Sequence, residues 1–361
     1  MIRGLMLIAA LTLATNLVSG EERTKADSEL ARLAAGMKPG EWKELATKGY
    51  DREFLRDSRD GKPTGPIFTY TNSIHWNPRT QELYFLGAAH ICDGKFIAYS
   101  AKDNTWRPLE PPEYCRMAGP GGVSHTYENA TIDFEHGQFV RQSHGRNQLD
   151  RFDIANQKWI EPIRSPGKGG HRSATEYFPE MKTFVRYETT LGFSQRLLRW
   201  DLGMSKWTPI PEAGKFEMQR ATQPVIEYDP VRKRMLFGGG NDHNELYTLD
   251  SKGQVVTIAS PPVPTVNSTS RNILTVDPVS GAFLLFTTFG DKEPGPMRFY
   301  AHDAERDEWR KLADATPLDS PGSRYRHFKV ATPIVDHGVI LFCTAQPEKV
   351  WLYKHTSEGT K

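Results

Sequence analysis

The stretch "PGEWKELA", residues 39–46, decides how this chain is read. Close copies recur far downstream: "DNTWRPLE" at 103–110, "NQKWIEPI" at 156–163, "MSKWTPIP" at 204–211 and "RDEWRKLA" at 306–313. Each later copy ends a longer unit, whereas the first has no unit in front of it. A chain that opens with the last piece of a repeat points to an array whose two ends meet.

The units are read backwards from their Trp. A first apolar stretch runs into a tight turn, as in "SIHWNPRTQ", "ATIDFEHGQ", "ATEYFPEMKT", "PVIEYDPVRKR", "ILTVDPVSGA" and "ATPIVDHGV". Asn-Pro, Asp-Pro and Gly at these turns suit short hairpin links. A second apolar stretch follows ("ELYFLGA", "QFVRQ", "TFVRYE", "RMLFGGG", "AFLLFTT", "VILFCTA"), then a polar loop of variable length. A third ends in or near Asp ("KFIAYSAKD", "QLDRFD", "RLLRWD", "NELYTLD", "MRFYAHD", "KVWLYKH"), and the Trp stretch closes the unit. Apolar–polar alternation over such short runs predicts strands.

That makes six units of four strands at a spacing of roughly 50 residues, a repeat length typical of propeller blades. Trp106, Trp159, Trp207 and Trp309 mark four units, and Val256 in "KGQVVTIA" takes the Trp place in another. The sixth unit runs out after three strands, and its missing strand is 39–46, with Trp42 as the sixth landmark. The expected fold is all-β: a six-bladed β-propeller, its ring closed by an N-terminal strand that completes the last blade. Closure of this kind leaves only short, protected outer edges.

The motif resembles the kelch-repeat β-propeller family, which includes the central domain of galactose oxidase. The Gly pair after the second strand stands at Gly238 and Gly239, and the aromatic–Asp–Trp part in "RFDIANQKW" and "RWDLGMSKW". Five of the six units lack the double Gly and one lacks the Trp, so the chain is a divergent member of the pattern over residues 39–355. The resemblance implies a fold, and leaves activity to the site.

Residues 1–20, "MIRGLMLIAALTLATNLVSG", combine Arg3, an apolar run and the small residues Ser19 and Gly20. That pattern predicts a cleaved signal peptide, hence a secreted or periplasmic protein, with a membrane anchor as the alternative reading. No other segment could cross a bilayer as a helix, so no stable span is expected in the mature chain. Residues 21–38 are expected to be a short helical segment, with Asp27 as its cap, and 356–361 a tail. Residues 47–66 are read as a long surface connection. Three cysteines leave one odd: a Cys92–Cys115 bridge and three free thiols remain equally open. A net charge of +2 is too weak to argue for nucleic acid, which needs a concentrated basic stripe, and no nucleic-acid partner is expected.

In a propeller the loops that lead into each blade and those joining second to third strands share one face. Of the 11 histidines, His90, His125, His144, His171, His243 and His327 fall in these loops. Arg172, Arg220, Arg271, Arg326 and Tyr127 join them there. Arg and His around a channel mouth favour anions through paired donors, and Tyr127 could stack on a sugar ring. The expected function is a monomeric binding module for a protein or glycan ligand, acidic in character, through His125, Tyr127, His144, Arg172, Arg220, His243, Arg271, Arg326 and His327. The alternatives are a structural use, with each Arg paired to a neighbouring blade, and a sugar isomerase resembling the sialic-acid mutarotases. The latter would use Arg172, Arg220, Arg326 and Glu188. No metal and no cofactor are expected: the histidines fall on separated blades, and no phosphate loop or nucleophile elbow is present.

Overall fold

Two features shape the hairpins that open the blades. A residue one or two places before the second strand is left-handed in all six, at Gln81, Gly137, Lys182, Lys233, Gly281 and Gly338. At the other end, in four blades, a side-chain oxygen accepts turn amides. Asn77 takes the Arg79 amide at 3.0 Å, Asp133 takes Glu135 and His136, Asp229 takes Val231 and Arg232, and Asp277 takes Ser280 at 2.7 Å. These are the Asx turns that "NP", "DP" and "HG" announce.

The structure, a computed structural model, describes residues 28–59, 62–71, 73–88, 94–116, 127–190, 197–201, 204–213, 221–241, 243–267, 270–287, 298–313, 316–318 and 329–356. It is a six-bladed β-propeller of six four-stranded antiparallel sheets. Blade one is His75–Asn77, Glu82–Gly87, Lys95–Ser100 and Thr105–Leu109; blade two is Ala130–Asp133, Gln138–Arg141, Gln148–Asp153 and Lys158–Arg164. Blade three is Ser173–Phe178, Thr183–Glu188, Leu197–Asp201 and Lys206–Pro209; blade four is Val225–Asp229, Arg234–Gly240, His243–Leu249 and Val255–Ile258. Blade five is Ile273–Val276, Phe283–Phe286, Phe299–Asp303 and Glu308–Ala313. Blade six takes Lys329–Ile334, Val339–Ala345 and Glu348–Tyr353 from the C-terminal end and Trp42–Glu44 from the N-terminal end. Each blade's first strand touches the next, and blade six touches blade one, so the ring is closed.

The closing strand pairs in register, Trp42 opposite Tyr353 and Glu44 opposite Trp351. The other Trp residues stand at the same register, opposite Tyr99, Phe152, Trp200 and His302, and Val256 stands opposite Thr248 in blade four. Their role is to join blades. Trp159 Nε1 donates to the Glu110 carbonyl at 2.8 Å, Trp207 to Arg164 at 2.9 Å and Trp309 to Ala259 at 2.8 Å. In each case the acceptor ends the outer strand of the preceding blade. Trp106 reaches the Thr47 hydroxyl, just past the closing strand, at 3.1 Å. Val256, 59 % exposed, has no such donor, so the outer seam between blades three and four lacks this bond.

The apolar core is divided among six seams, with one cluster between each neighbouring pair of blades. That follows from radial sheets, each of which buries both faces against its neighbours. The seam between blades six and one is reinforced near the hairpins, where Trp76 Nε1 donates to Asp336 at 2.7 Å and Gln81 Nε2 also donates to Asp336. The same seam holds the helix Glu29–Ala35 through Leu30, Ala34 and the following Met37.

Two expectations change. The helix is capped by Ser28, whose side chain accepts the Ala31 amide at 3.1 Å, while Asp27 lies outside the described residues. The connection at 47–66 is not simply a surface loop. Tyr50 and Phe54 pack on Trp106 at ring distances of 4.9 and 6.3 Å, Leu55 is buried, and Arg56–Arg59 pairs with Lys62–Pro66. Its aromatic residues cover the outer seam where the two ends of the chain meet. Cys115 and Cys343 are buried free thiols, held well above the ordinary thiol range by burial; Cys92 lies outside the described residues. Among the described residues no helix is long and apolar enough to cross a membrane.

Candidate functional site

Three of the expected rim side chains come together with a fourth. His144, in the second-to-third-strand loop of blade two, lies 6.0 Å from His171, in the loop leading into blade three, with near-parallel rings. His171 is 6.5 Å from Tyr127, and Tyr127 is 6.2 Å from Tyr70, which leads into blade one. Arg172 follows His171 directly, and its carbonyl is fixed by the Thr189 amide at 2.8 Å. A run of four rings therefore crosses the lead-in loops of three successive blades, with a guanidinium beside it. Partial burial lowers the pKa of both histidines; His171 depresses His144 further, and Arg172 depresses His171. Near neutral pH the two rings are therefore uncharged hydrogen-bonding groups.

His243 stands at the start of a third strand in blade four and faces Glu245 at 3.9 Å. His125, Arg220, Arg326 and His327 lie outside the described residues, and so does the side chain of Arg271. Glu188, the acid–base group of the isomerase alternative, is buried. Arg186, itself fully buried, donates to it through Nη2 at 3.0 Å and through Nε at 3.3 Å. Arg186 also donates to Gln142 of blade two, so this pair ties blades two and three together. Another rim arginine, Arg146, lies over the Tyr114 ring at 3.9 Å. Neither contact is an ion pair with an acid of a neighbouring blade, which is the structural use weighed as an alternative.

A second feature lies on the opposite face. Two residues before each hairpin, the first strands carry His75, Thr131, Glu176, Glu227, Thr275 and Thr332, one polar side chain per blade. Five of these, all but Thr275, line a cavity of about 270 Å³ on the ring axis. Its mouth is built from the hairpins, with Pro78, Phe134, Pro179, Pro230 and Val335 around it, and Val335 is 40 % exposed. Burial drives His75 down to about 3 and Glu176 up to about 8. Glu227 is raised well above the carboxylate range by burial first, then by Glu176 and Glu128. Glu176 accepts from the Thr131 hydroxyl and from the Tyr177 amide at 2.9 Å.

This ring was legible in principle. A polar residue at one register in six otherwise apolar first strands, in "IHW", "TID", "TEY", "IEY", "LTV" and "ATP", marks the strand edge that faces the axis. Reading those stretches only for apolar character hides it.

No family model matches the chain, and no curated protein matches it. Solved structures do resemble it. Hydrazine synthase of Kuenenia stuttgartiensis aligns at 11% identity over 78% of this chain and 75% of that one, with a TM-score of 0.50. The Niastella koreensis GH74 enzyme aligns at 12% identity over 79% and 47%, with a TM-score of 0.49. A chain of a nidogen/laminin complex aligns at 7% identity over 68% and 80%, with a TM-score of 0.44. At 11% identity the first of these shows a likeness of fold alone.

Proposed function

We propose that this chain is an exported, kelch-type β-propeller that works as a binding module for an acidic glycan or protein ligand, through the face that carries the lead-in loops. Propellers commonly serve as interaction modules, and their rigid ring holds loops in fixed relation. The observation that carries the reading is the run Tyr70–Tyr127–His171–His144 with Arg172 beside it. Aromatic faces offer stacking surface, neutral imidazoles offer one donor and one acceptor each, and the guanidinium offers a paired donor to an acid group. The kelch assignment is supported by five Trp residues at one register, each opposite an aromatic ring. Export rests on the charged and apolar pattern of residues 1–20. The isomerase alternative loses support because Glu188 is held by Arg186.

A thermal-shift screen of the chain from Glu21 onward, against acidic and neutral sugars, tests the reading. The expected result is a selective rise with an acidic sugar. Arg172→Ala, Arg220→Ala and Arg326→Ala in combination should remove the rise while leaving unliganded unfolding within a few degrees. A rise that survives this triple variant would overturn the assignment of the face. A flat screen would remove the glycan half of the proposal, and capture of a protein partner would then have to depend on the same three residues. N-terminal sequencing of the exported protein should begin at Glu21.

A further inference from the structure

The axial cavity on the hairpin face differs in chemistry from the lead-in-loop face. Its lining holds two carboxyl groups, Glu176 and Glu227, and contains no Lys or Arg. The walls between them are largely apolar and aromatic, with Trp76, Phe134, Tyr177 and Tyr228. The Thr131 hydroxyl donates to Glu176, and Thr332 of blade six also lines the cavity. Thr275, at the same ring level and 1 % exposed, lies against Glu227 without a well-aligned hydrogen bond. Burying two acids without a basic partner is costly unless something from outside completes them.

We propose that this cavity is a binding site for a small organic cation, with a primary ammonium group seated between Glu176 and Glu227 and its carbon chain against the aromatic walls. The three ammonium hydrogens match three acceptors at hand, the two carboxylates and the Thr131 hydroxyl oxygen. Aromatic faces add attraction for a cation that has left water. A carboxylic acid kept protonated by burial can bind a cation only by giving up its proton, so binding and proton release are linked. The ionisable groups on the neighbouring strands are Glu128 and Asp133 of blade two, Asp229 of blade four, Asp277 of blade five, Lys329 at the start of the blade-six first strand, and Arg141 and Arg186 on the second strands of blades two and three. Asp229 is already paired with Arg232 and Arg234, Arg186 is paired with Glu188, and His75 across the cavity is neutral above about pH 3. Within the cavity lining itself, the charge that can form near neutral pH is therefore acidic. Among the described residues no cluster of three or more metal-ligating groups forms, which favours an organic cation over a metal ion.

Titration calorimetry of the full chain with n-butylammonium and with its neutral isostere 1-butanol tests the proposal. At pH 8.5 the ammonium should bind at least tenfold more tightly than the alcohol. Its affinity should fall more than tenfold per pH unit below about 8, with two protons released to buffer on binding, one from each carboxyl. Glu176→Gln and Glu227→Gln, isosteric with the protonated carboxyl, should each weaken binding at least tenfold, while far-UV circular dichroism confirms an unchanged fold. Arg172→Ala, on the opposite face, should leave the affinity unchanged, which separates this proposal from the previous one. Equal binding of alcohol and ammonium, no binding of either, or unchanged affinity in both Gln variants would overturn it.

Discussion

Replacing Glu176 by Gln should make the protein more stable, by an amount set by pH. In the unfolded chain this carboxyl titrates near 4.5, whereas in the ring burial raises it to about 8. Between those values the unfolded state sheds a proton that the folded state keeps. Folded-state stability is therefore fully present below about pH 4.5 and declines as pH rises through about 8. One pKa unit corresponds to about 1.4 kcal/mol, so the penalty at pH 7 is about 3 kcal/mol and levels off near 5 kcal/mol above pH 8. Gln lacks the titration but keeps the carbonyl oxygen that accepts from Thr131 and the Tyr177 amide. Urea unfolding of both proteins at pH 4, 7 and 9 reads the difference directly. The two should coincide at pH 4, and the variant should lead by about 3 kcal/mol at pH 7. Glu227→Gln should act with the same sign, and the two together by less than their sum, because the Glu176 charge raises the Glu227 pKa. Curves that stay parallel across the range, or a variant that is less stable at pH 9, would refute the claim that this carboxyl is protonated inside the ring.

Trp159→Phe keeps the ring but removes the donor to Glu110, and should cost about 1 kcal/mol in chemical denaturation, the usual worth of one such bond. Trp42→Ala removes a side chain packed on Phe286, Phe342 and Tyr353 and should cost about 3–4 kcal/mol, clearly more than Trp159→Phe. A cost no larger than that of Trp159→Phe would mean that the closing strand does not hold the ring. Glu188→Ala leaves Arg186 charged and buried without its partner and should lower stability by about 3–5 kcal/mol, measured by the same assay.

The blade plan was legible because it is written locally. Each turn, each aromatic–Asp ending and each Trp lies within a dozen residues of the strands it organises, and the repeat shows six versions of one message. The pairing of Trp42 with Tyr353 was legible for the same reason, since the first stretch matches the later outer strands. The site was less so. That Tyr127, His171 and His144 meet depends on loops from different blades converging, which no single segment encodes. Glu188 looked like a loop acid, yet its fate is set by Arg186 two residues earlier on the same strand face. His75, Glu176 and Glu227 went unread because a single polar residue in an apolar strand carries meaning only when six strands are aligned on their hairpins.

The closing strand also fixes how the molecule answers to force. Trp42 and Tyr353 are partners in register, and the outermost bonds of that pair run from the Gly40 amide to Lys354 and from the Lys354 amide to Glu41. Both flanking segments therefore leave the blade at the same corner, on the face that carries the hairpins. Tension between them would load one bond at a time, as in a zipper, and not all of them in shear. A tether on both sides would open the ring at blade six while the other five blades were still whole.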